Sequence, residues 1–444
     1  MPVRRLVFVA VLALAAAGLG GIGAPAGAAD FGPVDASIPD GDPGSLRDVI
    51  ENDATNVGGD IVVLQTGATY PLTCGAGGEL AHDPATPLQI VGNGATITMD
   101  PTCDARVLVH EGDTDGLLHV DGVTITGGNI TSGGDGGGVQ SEGPVLVTNS
   151  RITDNHVSPG TSSGGAISAQ AEIRITDSVI SGNTSSGPGG GVRSLESITA
   201  TRSSIVDNTG NTSGGSFTGA GLSTVHEVLV IDSTISGNVS PASDGEGGGI
   251  FTEGTATVVN STITGNSVAG GQGGAISAEE VVLVYATIAG NAGVLTAQLW
   301  TADITSFGSV VVDPIGGANC PGGSASISGG YNFADDDSAC GFNEATDRHG
   351  EGLDAQLGAL ADNGGPTMTL LPAATSPLVD WIPNAACQTA PYSVGITADQ
   401  RGLARPEQAG GACDIGAVEL QLAPEPPVGP PVVPPVVVTP RFTG

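Results

Sequence analysis

Six copies of one short motif, at a nearly constant spacing, constrain the fold of this chain more than any other sequence feature. Each copy has a serine (alanine in the last), a β-branched residue two positions on and an asparagine five positions on. The copies run SRITDN, SVISGN, SSIVDN, STISGN, STITGN and ATIAGN, and successive asparagines are 28, 25, 30, 28 and 25 residues apart. A repeat of this length predicts a solenoid, in which each unit packs only against its neighbours.

Each unit has the pattern of short strands joined by tight turns. The first five asparagines are each followed by a small-residue motif closed by an aliphatic residue, such as GGAI or GGGV. A segment of alternating polarity, such as EIRITDS, then leads to the next serine, and this period of two is typical of a β-strand. We therefore predict an all-β fold, a right-handed parallel β-helix (solenoid), with like residues of successive coils about 4.8 Å apart.

The repeated asparagines are predicted to have a structural role. Asparagine tolerates the left-handed backbone of a bend, and stacked amides can hydrogen-bond to their counterparts above and below. We expect such a ladder to contain Asn155, Asn183, Asn208, Asn238, Asn266 and Asn291.

The N-terminus has the pattern of an export signal. Arg4 and Arg5 precede an apolar stretch and then Ala26-Gly27-Ala28, which has the form of a cleavage site. We therefore expect a secreted, extracellular or wall-associated protein, and no other apolar run has the length of a membrane span. The 46 acidic and 12 basic residues give a net charge of −34, which disfavours nucleic acid and anionic lipid as partners.

Six cysteines agree with an oxidising compartment. Fifteen pairings are formally open. Pairing between cysteines that are adjacent in the sequence is favoured, because each disulfide then spans a single loop or coil. The predicted disulfides join Cys74 to Cys103, Cys320 to Cys340 and Cys387 to Cys413.

Two ends of the chain resemble known bacterial surface families. The segment DPGSLRDVIENDATNVGGDIVVLQTGATYPLT resembles the N-terminal CSLREA domain, with Gly44 where that motif has its cysteine. LGALADNGGPTMTLLPAATSPLVD, DQRGLARP and CDIGAVE resemble the choice-of-anchor Q domain. The GGAI and GGGI units are similar to repeats of polymorphic outer-membrane proteins, although the phenylalanine of the F-x-x-N motif is missing. These resemblances imply an exported bacterial surface protein, without implying a known reaction.

These features divide the chain into five predicted regions. A helix starting at Gly44, with Ser45 as its N-cap, is expected to cover the open end of the first coils. The turn-rich block after residue 352 is expected to close the far end. The regions are 1–28 (signal peptide), 29–115 (N-terminal cap and first coils), 116–317 (β-helix repeats), 318–420 (choice-of-anchor Q-like domain) and 421–444 (proline-rich tail).

No residue is predicted to be catalytic. A glycosidase needs two carboxylates on one groove, whereas Asp154 and Asp207 are separated by a coil that has Gly182 at that position. The variable loops are nearly free of the aromatic residues that stack on sugars, with Phe217 almost alone. The position before each serine predicts a surface ladder of alternating charge, formed by Asp177, Arg202 and Asp232.

Acidic residues near the C-terminus suggest one metal site and a set of ion pairs. Asp335, Asp336 and Asp337 are a candidate Ca²⁺ site, with a solvated acidic turn as the favoured alternative; no other cofactor is expected. Ion pairs within the terminal block are predicted from Asp399, Arg401, Asp414 and Glu419.

Two functional hypotheses follow from the sequence. The first is a non-catalytic β-helix at the bacterial surface or in the medium, acting in adhesion, interaction or structural display with a cell-wall or extracellular glycan or protein as partner. The second is a carbohydrate-active enzyme, a polysaccharide lyase or hydrolase, with its site after Asn291, where the repeat becomes irregular.

Overall fold

The computed structural model describes most of the chain between Ala29 and Gln421. The described residues are 29–53, 60–82, 86–111, 116–210, 212, 219–321, 325–337, 340–389 and 396–421. The predicted signal peptide and, apart from Gln421, the predicted tail therefore lie outside the described residues. In the described ranges, no helix is both long and apolar enough to cross a membrane.

The repeats form a parallel β-solenoid, which confirms the predicted fold class. Its long sheet contributes two strands to each regular coil, one on either side of the repeated serine, and like positions of successive coils pair in parallel register. The long sheet contains Ala29–Val34, Asp60–Leu64, Thr69–Leu72, Leu88–Met99, Leu118–Thr126, Val145–Thr148, Arg151–Thr153, Ile173–Thr176, Val179–Ser181, Ser197–Thr201, Ser204–Val206, Glu227–Ile231, Thr234–Ser236, Thr255–Val259, Thr262–Thr264, Glu280–Val284, Thr287–Ala289, Asp303–Phe307, Val310–Val312, Ala325–Ser328, Phe333–Ala334 and Arg348–His349. Parallel stacking therefore continues past the predicted boundary at residue 317.

A second sheet forms another wall of the solenoid and begins at the aliphatic residue that closes each glycine motif. Its nine strands are Leu80–His82, Leu108–His110, Val139–Ser141, Ile167–Ala169, Val192–Ser194, Leu222–Thr224, Ile250–Thr252, Ile276–Ser277 and Leu299–Trp300. They indicate about nine turns in the described part of the chain.

The third wall follows the repeated asparagines and is made of very short strands. One group pairs Asn129–Ile130, His156–Val157 and Thr184–Ser185, and the other pairs Val239–Ser240, Ser267–Val268, Ala292–Thr296 and Ile315–Ala318. Isolated bridges from Thr209 to Thr184 and to Val239 connect the two groups.

The core consists of aliphatic side chains stacked in columns inside the coils. The residue two positions after the repeated serine supplies one column, in which Ile152, Ile180, Ile205, Ile235, Ile263 and Ile288 are fully buried. Burying each such side chain stabilises the fold by about 1.5 to 3 kcal/mol. The alternation seen in the sequence thus places every second strand residue in the core.

The glycine pairs mark a corner where the backbones of neighbouring coils come very close. Gly164 has a left-handed backbone with φ of +65°. A Cβ atom on Gly165 would overlap the carbonyl oxygen of Gly190 in the next coil. Glycine is therefore needed both for the turn and for the approach of the two chains.

A short helix near the N-terminus packs against the first coils. The α-helix Leu46–Asp48 continues as a π-helical turn, Val49–Asp53, and the Ser45 hydroxyl accepts a hydrogen bond from the Asp48 amide as predicted. Leu46 and Ile50 belong to the solenoid core. The α-helical part is short because the chain continues from Val49 with π-helical hydrogen bonds.

Arg47 fixes this helix to the solenoid. Its guanidinium forms ion pairs with Asp40 and Glu51 at 2.9 and 2.7 Å, and it donates hydrogen bonds to the carbonyls of Gly78 and Glu79. Five donors in a planar group suit such a site, because most of the lost hydration is replaced.

The C-terminal block covers one side of the solenoid and also contacts its last rungs, where the Trp381 ring nitrogen donates to the Thr346 carbonyl at 3.1 Å. Its two antiparallel strands, Leu357–Ala361 and Thr369–Pro372, and the helix Asn384–Thr389 belong to a block that packs on the outer face of the long sheet. The block buries outward side chains of several coils, so it lies along the solenoid. Contacting residues on the two sides include Val259, Val284, Phe307, Leu370, Leu378, Ile382, Ile396 and Ile415.

All three predicted disulfides are present. They join Cys74 to Cys103, Cys320 to Cys340 and Cys387 to Cys413. The first connects neighbouring coils, and the third lies inside the C-terminal block.

Candidate functional site

The repeated asparagines form the predicted ladder inside the solenoid. The Nδ2 of Asn155 donates to the Oδ1 of Asn183 at 3.0 Å, and the same bond recurs from each asparagine to the next at 2.8 to 3.0 Å. Each of these oxygens also accepts the backbone amide of the preceding asparagine. The ladder ends where Asn291 donates to the Oε1 of Gln298 at 2.6 Å. These amides are committed to the scaffold.

The predicted left-handed backbone lies one residue away from the asparagines. The residue before each asparagine has a positive φ, between 56° and 67°, and these residues are Asp154, Gly182, Asp207, Gly237, Gly265 and Gly290. The expectation that asparagine itself occupies the left-handed bend was therefore wrong. The preceding residue makes the turn, and this directs the asparagine side chain into the buried ladder.

The repeated serines form a second ladder, which the sequence reasoning missed. The amide of Ser150 donates to the Oγ of Ser178 at 3.0 Å, and equivalent bonds of 3.0 to 3.1 Å continue to Ser261. Each hydroxyl in turn donates to the carbonyl two residues earlier. The serines recur in the sequence at the same period as the asparagines, so the same reasoning would have predicted a serine ladder.

The predicted ladder of alternating charge is present only in part. Arg202 donates to both carboxylate oxygens of Asp177, at 2.7 and 2.6 Å. Asp232, one coil further, lies at the edge of the C-terminal block, and burial raises its pKa to about 6. The C-terminal block thus partly shields this end of the ladder from solvent.

The acidic run Asp335–Asp337 is used in local hydrogen bonds. Asp335 accepts from the Asp313 amide and from Asn319, and Asp336 accepts from the Asn319 amide. Asp337 lies 3.9 Å from His349. In the described ranges no group of three or more His, Cys, Asp or Glu side chains could hold a metal ion. A Ca²⁺ site at Asp335, Asp336 and Asp337 stays a prediction.

The charged residues of the C-terminal block form internal pairs, close to the prediction. Arg401 is paired with Asp399 at 2.8 Å and donates to the Glu419 carbonyl. The partner of the Glu419 carboxylate is Arg405, at 3.7 Å, which sequence reasoning did not assign. Asp414 accepts the backbone amides of Asp380 and Leu420.

These buried acids have shifted titrations. Burial raises the pKa of Glu419 to about 7, against the opposing effect of Arg405. Burial likewise raises the pKa of Asp414. The guanidinium of Arg405 also lies over the ring of Tyr285, 4.1 Å from its centre. The cluster joins the block to the solenoid, and its groups are enclosed by protein.

Two histidines, for which the sequence suggested no cluster, stack inside the first coils. His82 and His110 occupy like positions of neighbouring coils, with ring centres 5.0 Å apart. Burial lowers the pKa of His110, which favours a neutral ring. The two stacked imidazoles are fully buried and belong to the core.

An open groove on the second sheet is a candidate binding site. It has a volume of about 570 Å³ and runs along the outer face of the last three strands of that sheet. Its lining residues are Glu246, Phe251, Thr252, Glu253, Ser277, Ala278, Glu279 and Trp300. We call it the glutamate groove.

The parallel register positions the rings of the glutamate groove. Phe251, Ser277 and Trp300 occupy the same outward position in three successive strands. Phe251 is buried and forms part of the floor, while Trp300 is half-buried at the side. Since rungs are about 4.8 Å apart, the two rings are separated by about 10 Å along the solenoid.

Hydrogen bonds hold two of the three glutamates that line the glutamate groove. Glu253 and Glu279 follow neighbouring strands and are exposed. The Glu279 amide donates to Gly254 and its carbonyl accepts from the Thr301 hydroxyl at 2.9 Å. Glu246 accepts a hydrogen bond from the Ser277 hydroxyl at 3.1 Å. The arrangement combines three carboxylates with an aromatic surface, which suits a polar ligand with flat apolar faces.

Sequence reasoning missed the glutamate groove because it searched the variable loops for aromatic residues. Phe217, the residue found there, lies outside the described residues. The relevant rings lie in strands, directly after the aliphatic residues Ile250 and Leu299. In each of these strands the residue after the aliphatic one points outward, so the strand alternation alone would have placed both rings on one face of the sheet.

Comparisons with known proteins give one structural likeness. The chain is similar to the crystal structure of pectate lyase Pel9A, with 11% sequence identity and a TM-score of 0.44, over 88% of this chain and 96% of that chain. No protein-family model matches the chain, and no curated protein matches it.

Proposed function

We propose that this chain is an exported bacterial cell-surface or secreted β-solenoid that binds an extracellular glycan or glycan-bearing partner in adhesion or display. The glutamate groove is the observation that carries this proposal, because it presents an aromatic ring and three carboxylates on the outside of a rigid wall. Carbohydrate sites commonly combine a stacking ring with hydrogen-bonding side chains.

The scaffold supports a binding role. The repeated serines bond to serines of neighbouring coils and the repeated asparagines to asparagines, so the side chains of both repeats are occupied in the scaffold. The groups that line the groove are instead residues outside these two ladders, among them Glu246, Glu279 and Trp300. A wall fixed by such ladders holds these groups in place, which lowers the entropic cost of binding.

A second candidate function is a carbohydrate-active enzyme at the same groove. The favouring observation is that Glu253 and Glu279 come from neighbouring rungs of one sheet. Rungs about 4.8 Å apart can bring two carboxylates to the separations used by glycosidases. The active site would then lie in the groove between Glu246 and Trp300, and not in the irregular stretch after Asn291 where the sequence placed it.

One experiment separates the two candidates. The mature chain is tested for binding to a glycan array and for release of reducing ends or unsaturated products from the bound glycans. Binding without turnover supports the first proposal. Turnover that disappears in Glu253→Gln and Glu279→Gln would establish the enzyme. Failure to bind any glycan on the array contradicts the glycan-binding role.

A further inference from the structure

The charge of the glutamate groove favours one class of ligand. Three of its eight lining residues are glutamates, and the described lining contains no basic residue. Arg193 lies two rungs away and interacts electrostatically with Glu253. Glu246 and Glu279 face the opening without such a neighbour in the lining. An anionic polymer would be repelled here, and more so because the chain carries a net charge of −34.

The aromatic side of the groove adds a second requirement. Trp300 lies in the same column as Ser277, whose hydroxyl donates to Glu246. A flat ligand stacked on the indole would therefore have its polar edge close to carboxylates. A cation in that position gains from the carboxylates and from the electron-rich face of the indole.

We propose that the glutamate groove binds a cationic amino-sugar chain, with a sugar ring on Trp300 and its ammonium group held by Glu246 and Glu279. The inference rests on the proposed glycan-binding function and specifies its ligand class. An amino sugar supplies an apolar ring face and, when its amine is protonated at mildly acidic pH, a positive charge. A neutral sugar satisfies only the ring, and an acidic sugar opposes the charge.

The test compares glycans that differ only in charge. Binding of the mature chain is measured by calorimetry against an oligomer of β-1,4-linked glucosamine and its fully N-acetylated counterpart of the same length. Acetylation removes the ammonium group and keeps the ring, so we expect affinity to fall by about tenfold or more. Raising the salt concentration from about 0.05 to 0.5 M should weaken the first complex much more than the second.

Matched variants assign the binding to the glutamate groove. Glu279→Gln and Trp300→Ala should each weaken glucosamine-oligomer binding by about tenfold, whereas Glu253→Gln, with Arg193 nearby, should have a smaller effect. Glu111→Gln removes the same charge from an exposed site at the end of a second-sheet strand, five rungs from Glu253 and about 24 Å away. That control should bind like wild type, because a diffuse attraction to the acidic surface would respond equally to all three glutamates.

The outcomes distinguish this inference from the proposed function. Equal affinity for the two oligomers, or tighter binding of a neutral glycan, overturns the amino-sugar inference and leaves glycan binding intact. Binding of polygalacturonate that requires added Ca²⁺ also overturns it, since the carboxylates would then act through a metal. Loss of binding in Glu111→Gln as large as in Glu279→Gln shows non-specific attraction. Absence of binding to every glycan rejects both proposals.

Discussion

The two halves of the long sheet share one repeat but differ on their outer face. One outward column contains Asp121, Thr148, Thr176 and Thr201 in the first half, then Ile231, Val259, Val284 and Phe307 in the second. The first group is half-buried. In the second, exposure falls to 8% at Val259, 1% at Val284 and 0% at Phe307. The change begins at the coil that first meets the C-terminal block.

This difference shows that the inner and outer faces of a solenoid are set by different constraints. Inward residues are fixed by the neighbouring coils, so they repeat along the whole chain. Outward residues are fixed by whatever covers them, and strict alternation is lost where both faces of a sheet are buried. The contrast can be tested by changing equivalent positions in the two halves.

The largest expected effect comes from a charge placed beneath the C-terminal block. Val284→Asp buries a carboxylate among apolar side chains, and we expect a loss of about 4 to 5 kcal/mol in the free energy of unfolding, or detachment of the block. Thr176→Asp, in the same column of the uncovered half, should cost less than about 1 kcal/mol. Urea unfolding and hydrogen exchange of 357–389 measure both. Equal costs would mean that the covered and uncovered halves do not differ energetically.

The second prediction concerns the ladder common to both halves. Asn183→Ala and Asn266→Ala each remove the acceptor of two buried donors on the preceding asparagine. We expect each change to cost about 3 to 4 kcal/mol. Because the ladder lies inside the coils, the two costs should agree within about 1 kcal/mol in thermal or urea unfolding. A much larger cost at Asn266 would show that the covering block, too, depends on the ladder.

The third prediction concerns the polar contact that attaches the C-terminal block to the second half. The Gln400 carboxamide donates to the hydroxyls of Thr234 and Thr367, both at 2.9 Å, and accepts from Thr262 at 2.6 Å. Gln400→Ala should lower stability by about 2 to 3 kcal/mol and increase hydrogen exchange in the block. The exposed Gln408→Ala is the control, with an expected change below about 0.5 kcal/mol. Unchanged exchange in the block would exclude Gln400 as an attachment point.

The smallest effect is a pH dependence at the edge of the covered half. Burial raises the pKa of Asp232 from 3.8 to about 6. The folded chain therefore binds a proton that the unfolded chain has lost, and this contribution to stability is fully present below about pH 4 and lost as pH rises through about 6. Asp232→Asn should be about 1 to 2 kcal/mol more stable than wild type at pH 8 and similar to it at pH 4.

Asp154→Asn provides the matched control for this titration. Asp154 also has a left-handed backbone, with φ of 56°, but it is exposed in the uncovered half. Its substitution should change stability by less than about 0.5 kcal/mol at either pH. A pH profile for Asp232→Asn that parallels wild type would assign the pH dependence to another group, such as Glu419.

The sequence predicted what the repeat determines and missed what single residues determine. The period was sufficient for the solenoid and the asparagine ladder because both depend on neighbouring coils, and the disulfides were accessible because each joins cysteines that are close in the sequence. The position of the C-terminal block depends on contacts such as that of Gln400 with Thr234, separated by 166 residues. No periodicity encodes such a pair. The apolar outward residues Val259 and Val284 were nevertheless a visible sign that a second layer covers this half.

The glutamate groove was partly accessible by the same reasoning. Its rings, Phe251 and Trp300, occupy a repeated outward position, so their common face follows from the period. Glu253 and Glu279 each lie three residues after the aliphatic residue that begins their strand, so their neighbouring positions also follow from the period, whereas Glu246 precedes its strand and lies outside this pattern. Their convergence depends on the shape of the corner, which the spacing of residues alone does not determine.

The corner before each repeated serine has a consequence for protein engineering. Its backbone is nearly constant, with φ between 46° and 51°, although its residues are as different as Asn149, Asp177, Arg202, Asp232, Asn260 and Tyr285. Backbone geometry there is thus independent of side-chain chemistry. In the uncovered half, substitutions along this line would produce a periodic array of chosen groups at sub-nanometre intervals. A single chain could in this way hold ligands at fixed spacings or present a regular array of groups on which a mineral nucleates.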